Sequence, residues 1–178
     1  HIKNRINELA FDYIIDIYAN KQKNFFFVEI GAHDGISGDP IHGYIIKYKW
    51  KGILVEPVKY LFDKLVSNYK GQKNLIFENV AIGDKNETRD LYRLKQTGDI
   101  MPSWYEELGS FYPDVILKHK TFIPNIKDYL ITERVKCVTL KDLLQKYNIT
   151  DIGLLQIDVE GYEYEIINIS IQKPKFNT

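Results

Sequence analysis

Glu29, Glu56, Asp158 and Glu160 all stand at or near the ends of apolar runs, and two glycines follow the first of them. Glu29 lies inside the run at 25–30 (FFFVEI), which breaks at Gly31, with Gly35 four residues on. Glycines in a turn that leads from a strand into a helix relieve backbone strain and let a ligand approach the main chain closely. Glu56 ends a second apolar run at 52–57 (GILVEP), about twenty residues beyond Gly35. An acid at that distance, at the end of the second strand, can accept both hydroxyl protons of a ribose. Asp158 and Glu160 end a later run at 152–159. In open α/β sheets ligands bind at the carboxyl ends of the strands, so these acids should line one crevice, and the chemistry they suit is recognition of a nucleoside.

The signs of the charges narrow the ligand. A dinucleotide loop offers main-chain donors and a helix N-terminus to a pyrophosphate, with G-x-G-x-x-G spacing. Here the pair is Gly31-x-x-x-Gly35, and His33 occupies the middle position, where it would crowd a pyrophosphate. Glu29 and Asp34 would repel one. An acidic crevice instead suits an adenosine that carries a cation. S-adenosylmethionine has a sulfonium, an ammonium and a ribose diol for Glu56.

The surrounding elements can supply such a crevice. The runs at 25–30 and 52–57, and a third predicted strand at 75–82, are nearly continuous in apolar residues, as strands covered on both faces are. Between the first two, Asp39-Pro40 predicts a helix start, followed by the stripe Ile41, Tyr44, Ile45 and Tyr48. Leu61, Phe62, Leu65, Val66 and Tyr69 mark a second helix, stopped by Gly71. This alternation predicts an open, mostly parallel α/β sheet. Residues 3–19 read as an amphipathic helix within a 1–24 segment that packs on the domain. Thr139 to Asp142 resembles a capping box that opens a short helix, and Glu160-Gly161 turns into a last helix carrying Tyr164, Ile167 and Ile171.

An insertion at 84–136 separates the third strand from the later elements. Strands at 89–94 and 134–139 are expected to pair with each other. The stretch 95–124, rich in proline, glycine and aromatics, is a candidate substrate lid, in which Trp104, Tyr105, Phe111 and Tyr112 either stack on an acceptor or pin the loop to the domain. His119 reaches an acceptor if this stretch folds over the crevice.

Composition removes several classes. Lys and Arg together number 24, as do Asp and Glu, so the chain lacks the basic footprint of a nucleic-acid binder. No apolar run approaches the roughly 18 residues a membrane span requires. Cys137 alone cannot form an internal disulfide and fits a reducing, cytoplasmic compartment. No metal site is expected, because Asp158-x-Glu160 by itself lacks ligand spacing.

At these residues the chain resembles the FkbM-type methyltransferases, a branch of the class I S-adenosylmethionine-dependent fold. The stretches that carry the resemblance are VEIGAHDG (28–35), Asp39-Pro40, WKGILVEP (50–57), NVAIGD (79–84), VTLKDLL (138–144) and LQIDVEGYEYE (155–165). The resemblance implies a Rossmann-like domain over 25–178, with S-adenosyl-L-methionine as cofactor. It implies that Glu29, Gly31, Ala32, His33, Asp34 and Gly35 surround the methionine moiety, with Glu56 on the ribose. It places Asn79, Val80 and Ala81 beside the adenine, and Asp158 and Glu160 near the transferring methyl. The expected reaction is O-methylation of a small-molecule or glycan acceptor, a sugar or secondary-metabolite hydroxyl, with Asp158 first and Glu160 second as base. An acid before Gly161 can equally cap the following helix. The family's sheet normally has about seven strands, so the chain is expected to stop before the last of them. Rival readings are a non-catalytic nucleotide-binding module and an NAD-dependent oxidoreductase, the latter disfavoured by His33.

Overall fold

The computed structural model describes residues 13–15, 17–18, 25–97 and 103–171. Most of the predicted N-terminal helix lies outside them, as do residues 172–178. The three apolar runs become parallel strands, β1 (Phe26–Ile30), β2 (Lys51–Val55) and β3 (Leu75–Glu78). Helix α1 (His42–Tyr48) joins β1 to β2, and α2 (Lys59–Asn68) joins β2 to β3. The predicted third strand is shorter than 75–82. It breaks at Asn79-Val80, where the Asn79 amide donates to the carbonyls of Glu56 (2.8 Å) and Pro57 (3.0 Å) and turns the chain away.

Beyond that turn β4 (Ala81–Ile82) enters a second sheet with β5 (Glu87–Leu94), β6 (Gly109–Ser110) and β7 (Leu130–Val138), in the order β4-β7-β5-β6. The expected pairing within the insertion is present, with β5 and β7 antiparallel from Glu87↔Cys137 to Leu94↔Leu130. A short helix α3 (Pro113–Leu117) packs between these strands in sequence. The chain then returns through α4 (Leu140–Lys146) to β8 (Leu154–Ile157) and α5 (Glu163–Ile171). Thr139 Oγ1 accepts the Asp142 N–H at 3.0 Å, which is half of the predicted capping box. The Asp142 carboxylate takes the Asn86 amide instead.

The first sheet has the order β3-β2-β1-β8, all parallel. Its strands step outward from β1 to β3 and then cross to the other side of β1, which makes the β1–β8 junction the topological switch point. Both faces are buried. Val28, Ile30, Ile53 and Val55 pack against Leu140, Leu143, Tyr162 and Ile166. Phe27 and Leu54 point the other way, into Ile41, Ile45, Leu65 and Tyr69. The face of α5 differs from expectation. Tyr162 and Ile166 are buried, whereas Tyr164 and Ile167 are exposed. The insertion has a small core of its own, built on Leu94, Tyr105, Leu108, Ile116, Ile123 and Ile126. No helix of the described residues is long and apolar enough to cross a membrane.

Candidate functional site

Register brings the acids together. Ile30 pairs with Val55 on one side and with Ile157 on the other, so the residues that follow each strand emerge along one edge. The loop after β1 is tied to that edge by Gly31 N–H and Ala32 N–H, which donate to the Val55 carbonyl at 2.9 and 3.0 Å. Asp158 N–H donates to the Ile30 carbonyl at 2.9 Å. Glu29 precedes Ile30 and therefore faces the Phe27–Leu54 side of the sheet, toward α1 and α2.

A cleft of about 1140 Å³ opens at this edge. Its lining includes Glu29, Gly31, Ala32, His33, Glu56, Val80, Ala81, Asp158 and Glu160, nine of the residues singled out in the sequence. Asp34, Gly35, Asn79 and His119 are not among its lining residues. The Asp34 carboxylate accepts from the N–H groups of Ile36 and Ser37 and from the Ser37 hydroxyl, an arrangement that folds its own turn and holds it below the usual carboxylate range despite burial. Asn79 serves the backbone turn described above. His119 lies in a short 3-10 turn with its ring 5.6 Å from that of Trp104.

The glycines of the loop are spaced by protein rather than by ligand. Gly31 has φ +83°, and a Cβ there would sit 1.8 Å from the Asp158 carbonyl oxygen. A Cβ on Gly35 (φ +74°) would meet Leu65 and the Tyr69 ring, both at 2.5 Å. His33 itself adopts φ +50°, the left-handed conformation for which glycine is the usual choice. Its N–H donates to Glu56 Oε2 at 3.0 Å, and Val58 N–H donates to Glu56 Oε1 at 2.8 Å. The loop thus clamps the carboxylate at the end of β2. Glu160, at φ +48°, is a second strained position on the rim. Its carbonyl accepts from the buried Ser110 hydroxyl at 2.7 Å, which pins this turn to β6.

Three buried polar atoms of the cleft have no hydrogen-bond partner among the described residues. They are Glu29 Oε2 and both ring nitrogens of His33. Burial pushes Glu29 up to about 9, with the repulsion and hydrogen bond of Asp39 and the charge of Asp158 adding to it. Burial likewise pushes Glu56 up to about 8, against the pull of the Val58 and His33 N–H groups, and nearby Glu133 raises it further. Glu160 is raised by burial and by Asp158. Asp158 is exposed at the mouth.

These shifts have a consequence for stability. Between 4.5 and about 9 the folded chain keeps the Glu29 proton that the unfolded chain has lost. The folded state binds more protons, so this group's contribution is complete below the lower value and is lost as pH rises through the window. In a melting series from about pH 5 to about pH 9, Glu29→Gln should gain on the wild type with rising pH, by up to ~1.4 kcal/mol per pH unit. Parallel curves would show that Glu29 is ionised throughout.

The sequence pattern missed the opposite wall. Leu91 and Arg93 of β5, with Glu107 and Leu108, face the cleft from the insertion. Arg93 Nε is 2.6 Å from Glu133 Oε2, and its guanidinium lies over the Tyr60 ring at 5.2 Å. Alternation along β5 puts Arg89, Leu91 and Arg93 on one face, the one signal that could have found them. Of the four lid aromatics only Phe111 lines the cleft, its ring edge-on to Tyr162 at 5.1 Å. Trp104 packs on Tyr105, which is buried in the insertion's own core. Tyr112 is exposed and its hydroxyl donates to Glu165.

No curated protein and no solved structure matches the chain. The family described as the Methyltransferase FkbM domain matches it over residues 29–177, from the acid on β1 through the whole of α5. With the end of β1, the other three strands of the parallel sheet and every residue that lines the cleft inside that span, the chain belongs to the FkbM methyltransferase family and is a methyltransferase.

Proposed function

We propose that this methyltransferase takes its methyl group from S-adenosyl-L-methionine and passes it to an oxygen of a hydroxylated small molecule or glycan. The observation that carries the reading is the set of buried acceptors aimed into the cleft. Glu29 Oε2 lacks a partner, and Glu56, clamped by two N–H groups, keeps lone pairs for a diol. A buried acid with one oxygen unpartnered ionises only at a cost, and a cationic ligand offsets that cost. The acids fit a nucleoside with two positive centres and oppose a pyrophosphate.

When bound, the sulfonium supplies an electrophilic methyl group. The protein's own part is to bind, align and shield. Glu29, Gly31, Ala32 and His33 hold the amino-acid end, Glu56 the ribose, and Val80 and Ala81 with Val58 and Leu61 form an apolar slot for the base. Asp34 and Gly35 act on the donor indirectly, by shaping the loop. The acceptor enters on the side of Asp158, Glu160 and Phe111. Holding the two reactants in line accounts for most of the rate gain, and Asp158 removes the hydroxyl proton, with Glu160 as the nearest substitute. His119 is not among the residues that line the cleft, although its charge reaches Glu160, and it is assigned no step.

Calorimetric titration tests the donor. S-adenosylhomocysteine should bind and NAD should not, and Glu56→Ala should weaken the homocysteine compound by about 100-fold, the loss of a charge-assisted pair of hydrogen bonds. Binding of NAD alone would overturn the assignment. Donor-dependent methylation screened over glycans and hydroxylated metabolites tests the acceptor.

A further inference from the structure

We propose that Asp39 is a second cation-binding carboxyl of the cleft, that it and Glu29 share one proton while the cleft is free of ligand, and that an entering ammonium group expels that proton to solvent. This rests on the donor reading above and goes beyond it by assigning a residue and a proton to the binding step.

Asp39 looks in the sequence like the cap of α1. The helix instead begins at His42, and Asp39 Oδ1 accepts the Ile41 N–H at 2.7 Å from the loop before it. That placement sets the rest of the carboxyl against Glu29, and the two hydrogen-bond each other. Both line the cleft. Two carboxyl groups in hydrogen-bond contact cannot both be ionised without strong repulsion, so one proton lies between them. Glu29 is 3% exposed and its Oε2 has no partner among the described residues. The pair therefore offers an open acceptor to the cleft.

The N–H groups of Ile41 and His42 relieve Asp39, but no such group relieves Glu29. Asp158 adds a negative charge from β8. Tyr69, at the end of α2, holds its phenol 3.5 Å from Asp39 Oδ2 and 3.0 Å from His42 Nδ1. Burial raises that phenol above its ordinary value, Asp39, Glu29 and Asp34 add to the same effect, and it stays neutral. His42, half-buried on α1, is the one cationic candidate, and it lowers Asp39 from the far side of the carboxyl. Among the described residues no cation hydrogen-bonds Glu29 Oε2, so an ammonium on a ligand would be the first.

The balance is simple. Before binding the pair carries one proton and one charge. An ammonium R–NH3+ brings the second positive centre, both carboxylates become ionised around it, and the displaced proton goes to bulk water. No bond to carbon is made or broken.

The test is titration calorimetry of the full chain with S-adenosylhomocysteine at about pH 7.5, in phosphate, HEPES and Tris. Apparent enthalpy should vary linearly with the ionisation enthalpy of the buffer, with a slope of about one proton released. 5′-Methylthioadenosine, the same nucleoside without the amino-acid end and hence without the ammonium, should bind with a slope near zero. Glu29→Gln, which has no proton to give, should bring the slope for S-adenosylhomocysteine to near zero. Asp39→Asn should reduce it, because an amide N–H can hold Glu29 ionised in advance. Tight binding of S-adenosylhomocysteine with no buffer dependence overturns this inference and leaves the donor reading standing. Equal slopes for both nucleosides overturn it as well, since the ammonium would then not be the trigger. Failure of both nucleosides to bind overturns the donor reading itself.

Discussion

Asp158→Asn should lower the rate of methyl transfer by 10²- to 10⁴-fold, the usual contribution of a positioned general base, while changing the affinity for S-adenosylhomocysteine less than about fivefold. The asymmetry follows from position. Asp158 leaves β8 at the switch point and stands exposed at the mouth of the cleft. Glu29 and Glu56 lie buried behind it, at 3% and 5% exposure. A hydroxyl acceptor entering from the Phe111 side meets Asp158 first. Asparagine keeps the size and the hydrogen bonding but accepts no proton. Single-turnover transfer and calorimetry on the same variant separate the two effects. Equal losses in transfer and affinity would make Asp158 a donor-binding residue, and Glu160 would be the next to test.

Gly31→Ala should be the most damaging small substitution in the chain. The added carbon would stand 1.8 Å from the Asp158 carbonyl oxygen and 2.8 Å from its carbonyl carbon. Both are backbone atoms at the junction of β1 with β8, so no side-chain rotation relieves the contact. The positive φ adds about 1–2 kcal/mol for any L-residue. A loss of about 4 kcal/mol or more is expected, read as a lower denaturation midpoint at unchanged slope. Gly38→Ala makes the control, because it also has a positive φ (+70°) but open space around it. It should cost only the conformational part. If both variants lose the same stability, the close approach to Asp158 is not what Gly31 provides.

Much of this site could be read from the sequence because parallel pairing leaves little freedom. Once 25–30, 52–57 and 152–159 are strands of one sheet, the acids at their ends must share an edge, and Glu29, Glu56 and Asp158 do. What was not legible depends on tertiary choices. Asp39-Pro40 carries a strong helix-start signal, and the Asp39 carboxyl does accept the N–H groups of Ile41 and His42 where the helix begins, but no local pattern shows that the same carboxyl also meets Glu29. The run 75–82 looks continuous, yet Asn79 finds two carbonyls to bind and breaks it. The aromatics of 95–124 look like a lid, but Leu94, Ile116, Ile123 and Ile126 need covering, and Tyr105 is buried among them with Trp104 packed against that cluster. Arg93 and Leu91 line the cleft only because β5 lies across from the first sheet, a placement no local pattern encodes.

The break at Asn79-Val80 leaves one short stretch of chain as the joint between two leaves, one sheet on either side. β3 is anchored in the catalytic sheet, and β4, three residues later, is anchored to β7 through Ala81↔Cys137 and Ile82↔Val138. Val80 and Ala81, the pin between the leaves, form part of the cleft wall. A tilt of the inserted leaf would therefore move that part of the wall, and a ligand wedged there would stiffen the joint in return.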